Sequence, residues 1–581
     1  MGSQGIQVRH VDVLIVGGGP VGLVTAYQLS RFGGLRTALI EKHTKSSQDQ
    51  YGRAITLYPR SSEILDQLGL ADDLAQECFA CRETVSYDPQ GKEVMGRGWY
   101  FMENMKDTQW DFALVLRQKY QEEIFRRRLR EEGGSLEAPA ELLSVDVREN
   151  LPHDSYKVTA TVRNSVSGIV EEIQCKYLIG ADGGRSFVRR AVEIPFDGET
   201  SEDQWVRIDG IVETDMPKTR VYGSIESPTH GNVLWAALDH GATRLGFAYT
   251  ADRQKAHKEF NEAAAVAEAI ASVKPFKLEF KEVHWFTIYS VGQRIARQFF
   301  TKQAVFLAGD ACHTHSSGAA QGMNTGMHDA VNLSWKLSLV LKGLALPLLL
   351  DTYESERLPN VEKLINYDKD ISRLMTMQLP VGWKGDPKAD PNEILGQVME
   401  EASTFTSGLS IAFQDNILNV RGSFISVVNP PPVSQGHRGP DVQLQRPGTR
   451  ETTRLHRETP NVSRFHVVVF AGQPEDTAPS LSKLRKEVDD SQVFGNARLP
   501  ISWITVVGQM GPSVFELLGI MPFGKAFFDQ TKTAHARYGV DVKRGAVFVL
   551  RPDGWVGTAA ELGQTTVGEL ESYFGRFMIN R

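Results

Sequence analysis

Three short stretches of this chain carry residue types suited to binding a nucleotide, and each follows an apolar run. Gly17-Gly18-Gly19-Pro20-Val21-Gly22 is a GxGxxG. In such a loop the first glycine permits a tight turn, the second lets backbone approach a pyrophosphate, and the third lets a helix pack on a strand. The helix that follows offers N–H groups and a partial positive charge to an anion. Glu41 lies 19 residues beyond Gly22 at the end of the next apolar run, where a carboxylate can take ribose hydroxyls, and Lys42 follows it. Gly17, Gly19, Pro20, Gly22, Glu41 and Lys42 are therefore read as a dinucleotide site. The second stretch is Gly180-Ala181-Asp182-Gly183-Gly184-Arg185-Ser186. The third is Gly309-Asp310-Ala311-Cys312-His313, followed by Gln321-Gly322-Met323-Asn324.

The elements that must position these residues are legible as pattern. Val11–Val16, a helix over Leu23–Phe32 and Thr37–Glu41 form a βαβ unit with parallel strands. Lys176–Asp182 (KYLIGAD) and Ala304–Asp310 (AVFLAGD) read as buried parallel strands, each delivering an aspartate at its carboxyl end. They lie far apart, so the nucleotide domain is discontinuous. Between them, roughly 191–289, aromatic and polar residues alternate as in an antiparallel sheet. Pro430-Pro431-Pro432 marks a boundary. Beyond it, FHVVVF at 465–470 and ISWITVV at 501–507 read as strands. Asp553-Gly554 between two apolar runs reads as a hairpin, and 479–490 and 567–579 read as helices. The expected class is α/β: a Rossmann-like nucleotide domain interleaved with an antiparallel-sheet domain, plus a C-terminal α/β module.

Composition narrows the function classes. A chain of 581 residues suggests about three domains. Hydrophobic residues at 41% and charged residues at 23% exclude a disordered or fibrous protein, and a net charge of -7 argues against a nucleic-acid partner. The most apolar stretch, Leu337–Leu350, is short and carries Lys342, so no membrane association is expected. The N-terminal residues show no secretory h-region, and Ile6 breaks the myristoylation pattern. Four cysteines give no disulfide framework and point to a reducing, cytoplasmic setting. His313 and His315 lack a completing ligand set. Cys78-Phe79-Ala80-Cys81 sits in a helical-looking stretch with no partner pair, so no metal is expected.

The three motifs in this order, each at a strand end, resemble those of class A flavoprotein aromatic hydroxylases. Within them the chain looks most like the fungal phenol 2-monooxygenase group, over nearly its whole length. The resemblance implies FAD, with NADPH or NADH as transient co-substrate lacking a Rossmann domain of its own, and O₂. It adds Arg53, Gln118, Asp182, Gly183, Gly309, Asp310, Gly322, Met323 and Asn324 to the FAD site. Asp310 can accept from ribityl hydroxyls, and the helix beginning near Met323 and Asn324 can direct N–H groups at the flavin C2 carbonyl. It implies domains at 1–190 with 290–360 (FAD), 191–289 with 361–430 (substrate) and 437–581 (thioredoxin-like), and a homodimer. All four cysteines precede residue 437, so the last module has no thiol redox role.

The implied reaction is hydroxylation of a phenolic substrate through a flavin C4a-hydroperoxide, in secondary metabolism. A phenol of pKa about 10 costs roughly 4 kcal/mol to deprotonate at pH 7, so a base or cation must offset that. Phenol hydroxylases carry an aspartate before the segment matching Pro59-Arg60; here Ile55 stands in that register. A more acidic substrate hydroxyl or a cation is therefore expected, with candidates Arg207, Tyr289, Tyr249, Arg244 and His240. Arg207 and Tyr289 are the preferred pair, Tyr289 standing just before a turn at Val291–Arg294. A second departure is Ser317 and Ala320, where the family has proline and glycine. Oxidative decarboxylation, Baeyer–Villiger oxidation, a non-oxygenating reductase and a non-catalytic FAD scaffold stay open.

Overall fold

The first element of the chain is a strand because Val11–Val16 is apolar on both faces, and such a run is satisfied only inside a covered sheet. In the computed structural model, which describes residues 7–44, 54–99, 102, 105–255, 259–316, 318 and 320–579, Gln7–Val16 is the centre of an eight-stranded sheet. It pairs in parallel with Thr37–Ile40 on one side and Val170–Gly180 on the other; Val305–Leu307 extends the sheet beyond Val170–Gly180. Helix Pro20–Phe32 packs between this sheet and the long helix Gln321–Leu341, where buried Gln28 donates to Ala330 O at 3.2 Å.

The second eight-stranded sheet is mostly antiparallel. Its centre is the pair Phe196–Thr214 and Leu278–Ala296, with Thr243–Tyr249, Gly231–Ala237 and Tyr222–Ser227 beyond. Side-chain alternation gives it two unlike faces. Val206, Ile208, Leu245, Phe247 and Tyr249 pack under helix Glu262–Ser272, whose Ala265 and Ala269 are fully buried. The alternation seen over 191–289 did not reveal that helix. Trp205, Tyr222, Leu234, Ala236, Ala248 and half-buried Tyr289 point the other way, toward Ile55, Tyr58 and Trp99.

Two local expectations are corrected. Leu278–Ala296 runs through Val291–Arg294 as strand, because Thr200–Gln204 of its partner bulges and lets the ladder resume at Gly292. Phe79–Cys81 is a strand of a small three-stranded sheet, paired with Ala113–Val115, and only Ala71–Glu77 before it is helical.

The C-terminal module is a seven-stranded mixed sheet with the Asp553-Gly554 turn joining Ala546–Leu550 to Val556–Glu561. A buried ionic cluster fastens it to the first domain. Arg551 grips both oxygens of Glu356 at 2.6 and 2.9 Å, Lys336 reaches Glu356 at 2.7 Å, and Trp335 Nε1 donates to Asp553 at 3.0 Å. Lys336 and Trp335 lie on the same helix that begins at Gln321, so the module braces that helix from behind. No helix among the described residues is long and apolar enough to cross a membrane.

Candidate active site

Close backbone approach brings the three glycine-bearing stretches together. A Cβ on Gly17, whose φ is +110°, would lie 2.2 Å from Ala181 O, so the first and second stretches touch through bare backbone. A Cβ on Gly309 would lie 2.9 Å from Val21, so the third stretch meets the first helix. Thr314 in turn sits against Gly184. The result is one crevice at the carboxyl ends of the parallel strands, where doubly wound sheets bind ligands.

Two helix ends open into it. Pro20–Phe32 starts at Gly19 and Gln321–Leu341 starts at Ala320, and neither start has a side-chain cap. Uncapped first-turn N–H groups and the helix dipole suit an anionic or carbonyl oxygen. Ala320 holds the left-handed φ of 52°, while Asn324 ties the turn to the neighbouring strand: Tyr58 N donates to its Oδ1 at 2.8 Å, and its Nδ2 reaches Thr56 O at 3.0 Å. The Asn324 side chain is thus structural, leaving its backbone for a ligand. Buried Met323 joins the hydrophobic core, and Gly322 faces His315.

Glu41 is buried at the end of the second strand and accepts from Gly18 N at 2.8 Å and His43 N at 2.9 Å. Lys42 turns away to the surface and pairs with Glu141 at 2.9 Å. Asp182 accepts from Phe187 N and Val188 N through Oδ2, while burial raises its pKa and its Oδ1 is buried with no hydrogen-bond partner. His315 Nε2 is orphaned in the same way. Two buried polar atoms lacking partners beside uncapped helix ends are what a polar ligand such as FAD would satisfy. Asp310 is exposed at the end of Val305–Leu307, Gly183 follows Asp182 at φ +79°, and half-buried Gln118 donates to Glu122 at 2.8 Å beside Ala54. Arg53 and Ser317 lie outside the described residues.

His313 belongs to an ion-pair network. Asp329 accepts from His313 at 2.8 Å, Arg357 at 2.7 Å and Gly309 N at 3.0 Å. Burial would raise the Asp329 pKa, but the Arg357 and His313 charges outweigh it and bring it to about 2. Cys312 lies close by, yet burial pushes its thiol well up, which disfavours the thiolate a metal would need.

The inward face of the second sheet supplies the remaining wall. Arg207 and Arg244 are buried there, 3% and 2% exposed. Arg244 holds both oxygens of Asp209 at 2.6 and 2.8 Å, and this charge outweighs burial to raise its pKa. Arg207 lies 5.4 Å from the Trp205 ring and 6.0 Å from the Tyr289 ring, and burial lowers its pKa. Arg207, Arg244 and Tyr289 therefore share a face, joined by Tyr222, Asp209 and Trp99, which sequence pattern did not single out. Trp99 Nε1 donates to Gly318 O at 2.9 Å, linking this wall to the turn before Gln321.

Two candidates are elsewhere. Tyr249 pairs with Gln204 on the opposite face, its ring tilted against Phe260 at 4.8 Å, because the strand period of two puts it out of phase with Arg207. His240 occupies an exposed corner, bonded to Asp239 at 2.8 Å with its ring tilted against Tyr120, within a cluster that Arg117 organises. Neither joins the Arg207 face.

Residues 10–368 match the family model described as FAD binding domain, and residues 521–581 match that of the phenol hydroxylase C-terminal dimerisation domain. The chain is 28% identical to 3-hydroxybenzoate 4-monooxygenase of Comamonas testosteroni, over 98% of this chain and 95% of that protein. It is also 28% identical to phenol 2-monooxygenase fsqG of Aspergillus fumigatus, over 96% and 95%. In fold it is similar to the flavin-dependent monooxygenase PieE crystallised with FAD and substrate, with TM-score 0.73, 20% identity and coverage of 98% and 99%. It is likewise similar to aklavinone-11 hydroxylase, with TM-score 0.72, 21% identity and coverage of 97% and 98%. The chain belongs to the FAD binding domain family and, with its phenol hydroxylase dimerisation domain, is a class A FAD-dependent aromatic monooxygenase.

Proposed function

We propose that this enzyme hydroxylates a phenolic ring in secondary metabolism, drawing electrons from NADPH or NADH and oxygen from O₂, and works as a homodimer. Two relatives are named for hydroxylating phenol or a hydroxybenzoate, which supports the substrate class. FAD, when bound, supplies the redox chemistry and the oxygen transfer.

The chain's own residues then have separable tasks. Gly17, Gly19, Pro20 and Gly22 would admit the pyrophosphate, and Glu41, fixed by Gly18 N and His43 N, would take the adenosine ribose. Asp182, Gly183, Gln118, Gly309 and Asp310 would hold the middle of the cofactor. Backbone N–H groups at Gly322, Met323 and Asn324 would hold the flavin, and the uncapped helix start there offers a partial positive charge to it.

The observation that carries the substrate reading is the buried guanidinium of Arg207 beside Tyr289 on the face that closes over Gly318 and Ala320. Ile55, 4% exposed among Tyr58, Trp99 and Tyr222, occupies the register of the family's aspartate, so no carboxylate is available there to take the phenol proton. A buried cation stabilises phenolate instead, the form whose ring is electron-rich. Tyr289 orients the hydroxyl from the neighbouring strand.

The test is NADPH or NADH oxidation with O₂ uptake against phenols, hydroxybenzoates and prenylated phenols, with mass analysis. A product one oxygen heavier is expected. Oxygen gain with stoichiometric CO₂ release, or nicotinamide oxidation without O₂ uptake, would replace simple hydroxylation by the decarboxylating or reductase alternative.

A further inference from the structure

One fully buried carboxylate holds Ser316, five residues before the Gln321–Leu341 helix, and no sequence motif points to it. Asp368 lies on helix Asp351–Met375 with no exposed surface. Its Oδ2 accepts from Ser316 N at 2.7 Å and from Gln293 Nε2 at 2.7 Å, and its Oδ1 accepts from Ser316 Oγ at 2.5 Å. Ser316 Oγ in turn accepts from Gly318 N at 3.0 Å. The same helix face continues the contact. A Cβ on Gly318 would meet Met375 Sδ at 2.7 Å and Ile371 at 3.2 Å. Positions 368, 371 and 375 follow the three- and four-residue spacing of one helical stripe. Ser316 is thus pinned to that stripe and Gly318 wedged against it. Gln293 belongs to the strand that carries Tyr289 four residues earlier, so one carboxylate joins Ser316 to the substrate sheet.

This geometry exceeds what packing alone requires. Burying a carboxylate is costly unless strong donors surround it, and here three do. Removing a donor leaves a buried carboxylate short of a bond, so Ser316 and Gly318 have one low-energy position rather than several.

We propose that Asp368 is a positioning residue for oxygen transfer: it fixes Ser316 and Gly318 ahead of the Gln321–Leu341 helix and locks them to the strand bearing Tyr289. The inference rests on the proposed reading that the start of the Gln321–Leu341 helix, which follows Ser316 and Gly318, holds the flavin. Asp368 does not touch substrate. It acts through Ser316 and Gly318 on one side and through Gln293 on the other. Loss of the clamp frees Ser316 and Gly318 from helix Asp351–Met375 and loosens the start of the Gln321–Leu341 helix, so that the flavin it would hold is less shielded from water and O₂.

The experiment compares the FAD-loaded wild type with Ser316→Ala, Ser316→Thr and Asp368→Asn. Asn at 368 places an amide donor against the N–H of Ser316 or Gln293, and Thr at 316 keeps the hydroxyl. Three readouts are taken: FAD content, hydrogen exchange of the peptide spanning 313–320, and the rate at which photoreduced flavin is reoxidised by O₂ without substrate. Ser316→Ala and Asp368→Asn should retain FAD. Exchange in that peptide should be about tenfold faster, the loss of one or two hydrogen bonds. Reoxidation should be faster by about threefold or more as the edge opens. Ser316→Thr should stay near wild type in all three.

Exchange and reoxidation both at wild-type rates would overturn the proposal. So would faster exchange with unchanged reoxidation, since the clamp would then be merely structural. If FAD loading of the wild type gives no protection to 313–320, the reading of the flavin site fails, and the inference with it. Should Asp368→Asn not fold, the Ser316 pair decides alone.

Discussion

Arg207 and Gly246 stand directly opposite each other on neighbouring strands, and the guanidinium lies across the glycine. A Cβ built on Gly246 would fall 2.2 Å from Arg207 Nη1. The absence of a side chain at 246 is what lets a long cation lie flat against the sheet. Gly246→Ala should therefore displace Arg207 without touching the FAD crevice. We expect kcat/KM to fall about tenfold, or about 1.4 kcal/mol of transition-state stabilisation. Arg207→Leu should cost more, with FAD content unchanged in both. Turnover equal to wild type in Arg207→Leu would remove Arg207 from the reaction.

Asp310 ends the strand Val305–Leu307 at the crevice, exposed and able to face a ligand's hydroxyls. Asp310→Ala should emerge from purification depleted of flavin, with a melting profile in the absence of FAD close to the stripped wild type. The ratio of visible flavin absorbance to protein absorbance reads the loss. A full flavin complement would contradict the assignment.

Ile55→Asp introduces the carboxylate that phenol hydroxylases use. At a 4% exposed site among Tyr58, Trp99 and Tyr222, burial should hold that carboxyl above its ordinary pKa. Activity on unsubstituted phenol should appear and rise with pH as the carboxyl ionises, with stability reduced by roughly 1–3 kcal/mol. A variant that folds and holds FAD yet gains nothing on simple phenols would show that Ile55 is not the relevant position.

Acid should unfasten the flavin platform. Asp329 has its pKa brought from 3.8 to about 2 in the fold, so the folded form binds fewer protons than the unfolded form in that window. The stabilisation is complete above the unfolded value and is lost as pH falls from about 4 through 2, about 2 kcal/mol in all. Thermal melts between pH 6 and pH 2 should show the decline in wild type, and Asp329→Asn should flatten it while starting lower.

The ionic cluster between the domains should be intolerant of partial removal. Glu356 faces Arg551, Lys336 and Asn332 with no exposed surface, and these charges hold its carboxyl well below the usual range. Glu356→Leu strands Lys336 and leaves Arg551 with Asp553 alone, and should destabilise by about 3–5 kcal/mol. Arg551→Met with Glu356→Leu should recover part of that. Chemical denaturation of single and double variants gives the coupling directly.

Much of the flavin crevice could be read from local pattern. Glycines flanked by apolar runs, and aspartates at their ends, report strand–turn–helix junctions because those backbone approaches exclude other residues. The face of a strand residue is a different matter. Tyr249 and Arg207 have equal chemical claims in one dimension, and only the pairing register puts them on opposite sides of the sheet. The CxxC near residue 80 reads as helix by composition but is a strand, because Ala113–Val115 offers it a ladder.

The sequence by itself determined that this is a nucleotide-binding α/β protein with an interposed antiparallel sheet and an appended module, since strand ends, glycine turns and helix starts are short-range properties. Only the tertiary structure decided what closes the site. Asp368 reaches Ser316 across 52 residues, Arg551 reaches Glu356 across 195, and Trp99 reaches Gly318 across 219. Such contacts leave no local periodicity. They arise because a buried polar group must find its partner wherever the packed elements bring one within hydrogen-bond range.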